Sequence, residues 1–315
     1  MGGDRGADEV VAGALEAASD ELVPVVHGPE GLETGGLEHV VAPDVIGMDE
    51  KPAEAVRAKP ESSLVAACRA VGDGDADAVV SAGNTGAMLA ACLVYVRRLR
   101  GVNRPAIAVL LPARRGPSVL IDAGANADAR PEHLRQFAHM GSVFAQEILE
   151  LPHPTIRLLS IGEEPEKGNQ LTLEAYRLLE QADDLNFEGN VESRLLLEHA
   201  ADVVVCDGFT GNVSLKLLEG TIKTLLEGLR EEITSSRRGK LGALLIRPAA
   251  RKLRERLDPD TYGGAYLLGL RGLAVIAHGN SSRRAIANAI RLAARGVDHR
   301  VVDRLAERLP ERVGV

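Results

Sequence analysis

Short apolar runs alternating with helix-spaced stripes constrain this chain most. Apolar runs of strand length fall at 23–27, 78–82, 106–111, 119–123, 156–161, 185–187, 203–207 and 273–277. Between most of them lie stripes with three- and four-residue spacing, clearest at 85–98, 132–149, 171–181 and 281–294. A period that switches back and forth in this way predicts crossover units and a mainly parallel sheet. The expected fold is therefore α/β, a Rossmann-like layered sheet. Hydrophobic residues make up 45% of the 315, yet aromatics only 3%, and Trp is absent. The core must then be Val, Leu, Ile and Ala, which suits a sheet buried on both faces. So few aromatics argue against a stacking platform for single-stranded nucleic acid. A net charge of −8 gives no global attraction to nucleic acid or membrane. No repeat or long flexible linker divides the chain, so one domain over 1–315 is expected.

Ligands of such sheets bind outside the carboxyl ends of the strands. The marked segments fall there: 81–86, 122–126, 162–169, 207–212 and 278–282. Five Gly-Asn dipeptides recur: Gly83-Asn84, Gly168-Asn169, Gly189-Asn190, Gly211-Asn212 and Gly279-Asn280. Most follow a strand-like run and precede a helix-like one. Between two strands, Gly-Asn would be a hairpin turn. Between strand and helix it brings backbone N–H groups and an amide to a helix N-terminus, where anions are favoured. As a set, the dipeptides predict a site for a phosphorylated or negatively charged ligand. Cys68, Cys92 and Cys206 are odd in number and each sits in an apolar run, as reduced, buried thiols of a cytosolic protein do. No Cys/His cluster has metal-ligand spacing, so neither metal nor cofactor is expected. The polar, acidic N-terminus is not a signal peptide. The longest strongly apolar stretch, 87–96, is too short to span a bilayer.

Two features depart from the alternation. Leu215, Leu218, Ile222, Leu225, Leu229 and Ile233 form one long amphipathic stripe, and Leu241, Leu245, Ala249, Leu253 and Leu257 a second. Pro248 is expected to break or kink the second. Together they predict a projecting helical hairpin over about 213–258. Its turn and second helix hold Arg237, Arg238, Lys240, Arg247, Arg251, Lys252, Arg254 and Arg256 against Glu255 alone. The hairpin reads either as a solvated face with a dimer core or as a basic, Leu-tipped arm for an acidic partner or anionic headgroups. The second departure is at the start. Met1-Gly2-Gly3-Asp4 reads as a glycine loop feeding a helix at 8–19, with no strand before it. A first strand is expected to be missing.

The stretches MGGD (1–4), MDEKPAEAVRAKPESS (48–63), SAGNTGA (81–87), DAGANADARPEHLRQFAHMGS (122–142), IGEEPEKGN (161–169), NFEGNVE (186–192), VVVCDGFTGNVSLKLLEG (203–220), YGGAYLLGL (262–270) and AHGNSS (277–282) share an order and spacing with one family. On them the chain resembles the bacterial phosphate acyltransferases of phospholipid synthesis (the PlsX family), nearly end to end. The resemblance implies a fold related to the isocitrate/isopropylmalate dehydrogenases and phosphotransacetylases. It implies a cytoplasmic homodimer, peripherally associated with the membrane. The implied reaction is attack of inorganic phosphate on a long-chain acyl-acyl carrier protein, giving acyl phosphate and free carrier. A membrane glycerol 3-phosphate acyltransferase would consume the product. The family usually carries a strand before MGGD, and commonly a Pro where Gly6-Ala7-Asp8 stands here.

Phosphorolysis of a thioester needs a held phosphate and donors for the tetrahedral oxyanion. The thiolate leaves readily, its thiol pKa being roughly 8.5. No covalent nucleophile is required, and no Gly-x-Ser-x-Gly elbow is present. A lone Lys among acids, as in Glu164-Pro165-Glu166-Lys167, is usually a solvated ion pair. With the resemblance, Lys167 is assigned to phosphate or oxyanion. Asn212 reads as an N-cap or, by the resemblance, as an amide donor to the reacting group. Gly83, Asn84, Thr85 and Gly86 are expected to bind phosphate through backbone N–H groups. Gly168, Asn169 and Gly211 share such corners, and Asp122, Asn126, Asp207 and His278 are further binding candidates. The acids are expected to orient Lys167. Two other readings remain: a phosphotransacylase using acyl-CoA, and a non-catalytic membrane-surface scaffold.

Overall fold

A computed structural model describes residues 2–258, 261 and 263–309. Met1 of the opening motif and Tyr262 lie outside the described residues. The elements, in chain order, are α1 (Gly6–Ala17), β1 (Val25–Gly28), β2 (Glu38–Val41), α2 (Pro52–Ala58), α3 (Ser63–Asp73), β3 (Ala78–Ser81) and α4 (Thr85–Ala91), which runs on as one π-helical segment, Cys92–Val96. Then come β4 (Ala106–Leu111), β5 (Ser118–Ile121), α5 (Pro131–Ile148), β6 (Ile156–Ser160), α6 (Gln170–Glu180), β7 (Phe187–Glu192) and β8 (Val203–Val205). The chain ends with α7 (Gly208–Thr234), α8 (Arg237–Leu257), β9 (Ala265–Leu268), β10 (Leu273–Ile276), α9 (Arg283–Asp298) and α10 (Val301–Arg308).

Eight strands form one sheet in the order β3-β10-β9-β4-β5-β8-β6-β7. Both flanks are parallel, as expected: β3 with β10, and β5, β8, β6 and β7 with one another. The centre is antiparallel. The cause is connection length. β4 joins β5 through 112–117 and β9 joins β10 through 269–272, far short of the dozen or so residues a parallel crossover needs. Gly116 and Gly269 take positive φ (134° and 90°) in these turns.

This antiparallel centre corrects one expectation. The two parallel blocks run in opposite directions, so the marked loops do not share one edge of the sheet. Segments 122–126, 161–169 and 206–212 leave one edge, while 82–86 and 277–282 leave the other.

Alternate strand residues serve the two faces. Val203, Val205, Leu273 and Val275 face Phe137, Met140 and Phe144 of α5 and Ile286 and Leu292 of α9. Ala274 and Ile276 face Val65, Cys68 and Met88 of α3 and α4. Val204 packs with Leu111, Leu120 and Leu159. Strand sequences that are apolar at every position follow from burial on both faces.

β1 and β2 form a separate parallel pair. A cavity of about 530 Å³ lies between β1 and the edge strand β3, lined by residues of both and by Ile286 and Ile290. Among the described residues, the buried Nδ1 of His27 on this side has no hydrogen-bond partner.

The hairpin is present as α7 and α8, but Pro248 does not end α8, which continues to Leu257. The helix buries no residue and is exposed around Pro248, so water can take the carbonyl that Pro248 leaves unbonded. Among the described residues, no helix is long and apolar enough to cross a membrane. The strand expected at 185–187 runs over 187–192 instead. Gly189-Asn190 therefore lies inside β7 and not at a strand–helix corner.

Candidate active site

The first edge is organised by one buried carboxylate. Asp122 is fully buried and accepts five hydrogen bonds. Its Oδ1 takes the backbone N–H groups of Ile107 (3.0 Å), Gly124 (3.1 Å) and Ala125 (2.9 Å). Its Oδ2 takes the Asn126 N–H and the Asn126 Nδ2, both at 2.8 Å. That Nδ2 also donates to Pro105 O at 2.7 Å. Asp122 and Asn126 thus fix the loop after β5, and five donors offset the desolvation of the carboxylate.

The start of α7 seats directly on this loop. Gly208 N–H donates to Asn126 O at 2.8 Å. Gly211 is buried, and a Cβ there would strike Asp122 O and sit 2.8 Å from Cys206 Sγ. Asp207 is the N-cap, accepting Thr210 N–H at 2.9 Å and Thr210 Oγ1–H at 2.6 Å. Asn212 is therefore not the cap that sequence suggested. Its Nδ2 donates to Ala123 O at 3.3 Å, and the side chain lies over Gly124, whose absent Cβ would fall 2.9 Å from Nδ2. Among the described residues, the amide oxygen of Asn212 and its second N–H are unengaged, and the residue is exposed. Cys206 is no nucleophile: burial pushes its thiol well up, and it donates to Asp122 O.

Because β6 lies beside β8 in parallel, the Lys167 loop leaves the sheet next to this corner. Ser160 Oγ–H donates to Lys167 O (2.8 Å), and Asn190 Nδ2 donates to Glu164 O (2.8 Å). Asn169 caps α6 by accepting Thr172 N–H at 2.9 Å. Gly168 has φ 135°, and Thr172 Oγ1 fills the space a Cβ would need, so only Gly fits. The Lys167 ammonium is exposed and, among the described residues, makes no hydrogen bond or ion pair. This holds although Glu163, Glu164 and Glu166 share its loop; Glu163 pairs with Arg194 at 3.6 Å. Neither Asp122 nor Asp207 pairs with it.

At the second edge Asn84 caps α4, accepting Ala87 N–H at 3.0 Å. Its Nδ2 donates to the carbonyls of Gly47, Met48 and Glu50, each at 3.2 Å. That amide is wholly occupied in holding the 47–50 loop. Gly83 N–H donates to Ser81 Oγ (3.1 Å) and Gly86 packs on Pro52, while Thr85 is exposed. The glycine turn at Gly2–Gly3 docks here through Asp4 N–H to Gly279 O (2.8 Å) and Arg5 Nε to Asn280 Oδ1 (2.8 Å).

One helix connects the two edges. Asn212 touches the first edge at Gly124, and one turn later Lys216 reaches His278 at the second, with Nζ 3.0 Å from Nε2. Leu215 between them packs against the cores on both sides. Sequence reasoning named Asn212 and His278 but missed Lys216. Its place on the Asn212 face of the helix is readable from the four-residue spacing, but its nearness to His278 is not.

The comparisons with known proteins bear on the family and the fold. A family described as "Fatty acid synthesis protein" matches residues 1–304. The phosphate acyltransferase of Heliobacterium modesticaldum is 45% identical over 99% of this chain and 97% of its own length. Among solved structures, EutD phosphotransacetylase from Staphylococcus aureus superposes with a TM-score of 0.57 at 15% identity, covering 92% of this chain and 91% of its own. The 4-hydroxythreonine-4-phosphate dehydrogenase of Klebsiella pneumoniae reaches 0.52 at 13% identity, covering 94% and 96%. At such identities the two structures speak for the fold alone, and they tie it to phosphotransacylase and dehydrogenase architectures. The near full-length sequence match decides the family: this chain belongs to the phosphate acyltransferases.

Proposed function

We propose that the chain transfers a long-chain acyl group from acyl carrier protein to inorganic phosphate, supplying acyl phosphate to phospholipid synthesis. The observation that supports this most is the unpaired Lys167 ammonium, on the loop beside the start of α7. Left unpaired, it is available to an anion.

In this reading a phosphate oxygen attacks the thioester carbonyl carbon. Lys167 and Asn212 donate to the phosphate and to the developing oxyanion, each such donor being worth about 3–4 kcal/mol. The tetrahedral intermediate collapses, the C–S bond breaks, and the carrier thiolate leaves and takes up a proton from water. Asp122, Asn126, Asp207, Gly211, Gly168 and Asn169 hold the two donors in place. Gly83, Asn84, Thr85 and Gly86 shape the opposite wall.

The hairpin serves dimerisation and docking to an anionic membrane surface, close to the acyltransferase that consumes the product. Exposed Leu244, Leu245 and Ile246 beside a run of Arg and Lys support this. Each basic residue near such a surface contributes about 1 kcal/mol.

The test is incubation with palmitoyl-carrier protein, following free carrier thiol with and without phosphate. Release that depends on phosphate supports the transferase. Equal release without phosphate would make it a thioesterase, and no release in either case would favour a scaffold.

A further inference from the structure

Lys216, which has no role in the site described above, contacts His278, a binding candidate with no partner assigned to it. The Lys216 Nζ lies 3.0 Å from Glu219 Oε2 and 3.0 Å from His278 Nε2. On the other side of the ring, Asn280 N–H points at His278 Nδ1 from 3.3 Å. A neutral imidazole has one donor nitrogen and one acceptor nitrogen, and an ammonium has only donors. If Nδ1 accepts from Asn280, Nε2 carries the proton and faces the ammonium, donor against donor. The other tautomer moves the same conflict to Asn280. Among the described residues, the ring therefore sits between donors and no protein group accepts its own N–H, which the exposed position leaves open to solvent or an anion.

An anionic oxygen placed between Lys216 and His278 removes this conflict. It accepts from the ammonium and from Nε2–H together, while Nδ1 keeps its bond from Asn280. Lys216 offers three N–H donors, and Glu219 occupies only one of them. The position suits a substrate anion, because Lys216 lies one turn beyond Asn212 on the same helix face.

We propose that Lys216 and His278 together bind the attacking phosphate, with Glu219 holding the ammonium in place. This rests on the phosphate acyltransferase reading above. It adds a cation from α7 and an imidazole from the opposite edge to the donors at the first edge. Phosphate would then bridge the two edges that α7 connects.

The experiment is steady-state kinetics of thiol release from palmitoyl-carrier protein, with inorganic phosphate varied, for the parent, Lys216→Ala, Lys216→Arg and His278→Ala. Losing one charge-assisted donor raises the KM for phosphate by about 10–100-fold. Lys216→Arg recovers most of the loss, and the KM for the acyl donor stays near the parent value throughout. A purely structural contact would not separate the two KM values, and circular dichroism melts check that each variant is folded. Parental KM values for phosphate in both alanine variants would overturn the proposal. So would a rise confined to the KM for carrier protein, which would make Lys216 a docking residue for the acidic carrier. If the parent itself shows no phosphate dependence, the underlying reaction assignment fails instead, which is a different result.

Discussion

The two ends of α7 obey different rules. Its first turns bury Gly208 and Gly211 against the Asp122 loop and carry Asn212 and Lys216 across both sheet edges. Beyond Gly220 the same helix buries nothing, and α8 has no buried residue at all. Leu225, Leu229, Leu241, Leu244, Leu245 and Leu253 stand exposed along the hairpin. At the first end the backbone is fixed by steric contact and satisfied hydrogen bonds, as a site that must position donors requires. At the second, the two helices pack on each other and still leave leucines exposed to solvent, as suits a surface for a partner or a membrane.

Glycines give the sharpest contrast. Gly211→Ala should destabilise the protein by about 3 kcal/mol, since overpacking against backbone and Cys206 outweighs the gain in helix propensity. Denaturant unfolding measures it, and an unchanged midpoint would show that α7 is not seated as described.

Next in size is the hairpin tip. Replacing Leu244 and Leu245 by Glu should lower binding to anionic vesicles about tenfold or more while leaving acyl phosphate synthesis in solution intact. If the variant sediments with vesicles like the parent, the tip is not the anchor. If synthesis is lost instead, the hairpin docks carrier protein.

Gly220 and Gly228 meet no atom within 4 Å of an added Cβ. Gly220→Ala and Gly228→Ala should each stabilise α7 by up to about 1 kcal/mol. A loss at either position would reveal a close neighbour there, such as a second copy packed on the helix.

The smallest effect concerns the exposed pair that joins α1 to α9. Arg283 donates to Glu9 at 2.7 Å, and this hydrogen bond holds the Glu9 carboxyl below its ordinary pKa. A carboxylate with a lowered folded pKa stabilises above its unfolded pKa and loses that contribution as pH falls through the folded one. The Tm gap between the parent and Glu9→Gln should therefore be small at pH 7, begin to shrink as pH falls past the ordinary glutamate pKa of about 4.3, and vanish only below the lowered folded one. A gap that persists in acid would mean the contact is steric.

Much of this was legible in the sequence because it is local. The alternating runs predicted the layered sheet, the leucine stripes predicted both hairpin helices, and Gly168-Asn169 predicted a strand–helix corner. What was missed depends on direction and distant packing. The hairpins at 112–117 and 269–272 reverse the strand direction, so five loops expected at one edge divide between two. The Gly-Asn pattern offers the Asn84 side-chain amide as well as backbone N–H groups, yet that amide is taken by carbonyls some 35 residues back in the chain. Asp207, and not Asn212, caps α7, because the helix begins one turn earlier than the dipeptide suggests. Pro248 sits in an exposed helix that tolerates it. Lys216 carries no motif of its own and gains meaning only beside His278, 62 residues away.

The central claim is that donors on the Lys167 loop and the first turns of α7, held by a hydrogen-bonded scaffold, perform phosphorolysis. Its most direct test is the rate of phosphate-dependent thiol release for Lys167→Ala and Asn212→Ala beside the parent, with thermal melts on the same samples. Turnover about 10²-fold lower in each, at an unchanged melting temperature, is the predicted result. Near-parental turnover in both variants would contradict the account and move the chemistry elsewhere on the molecule.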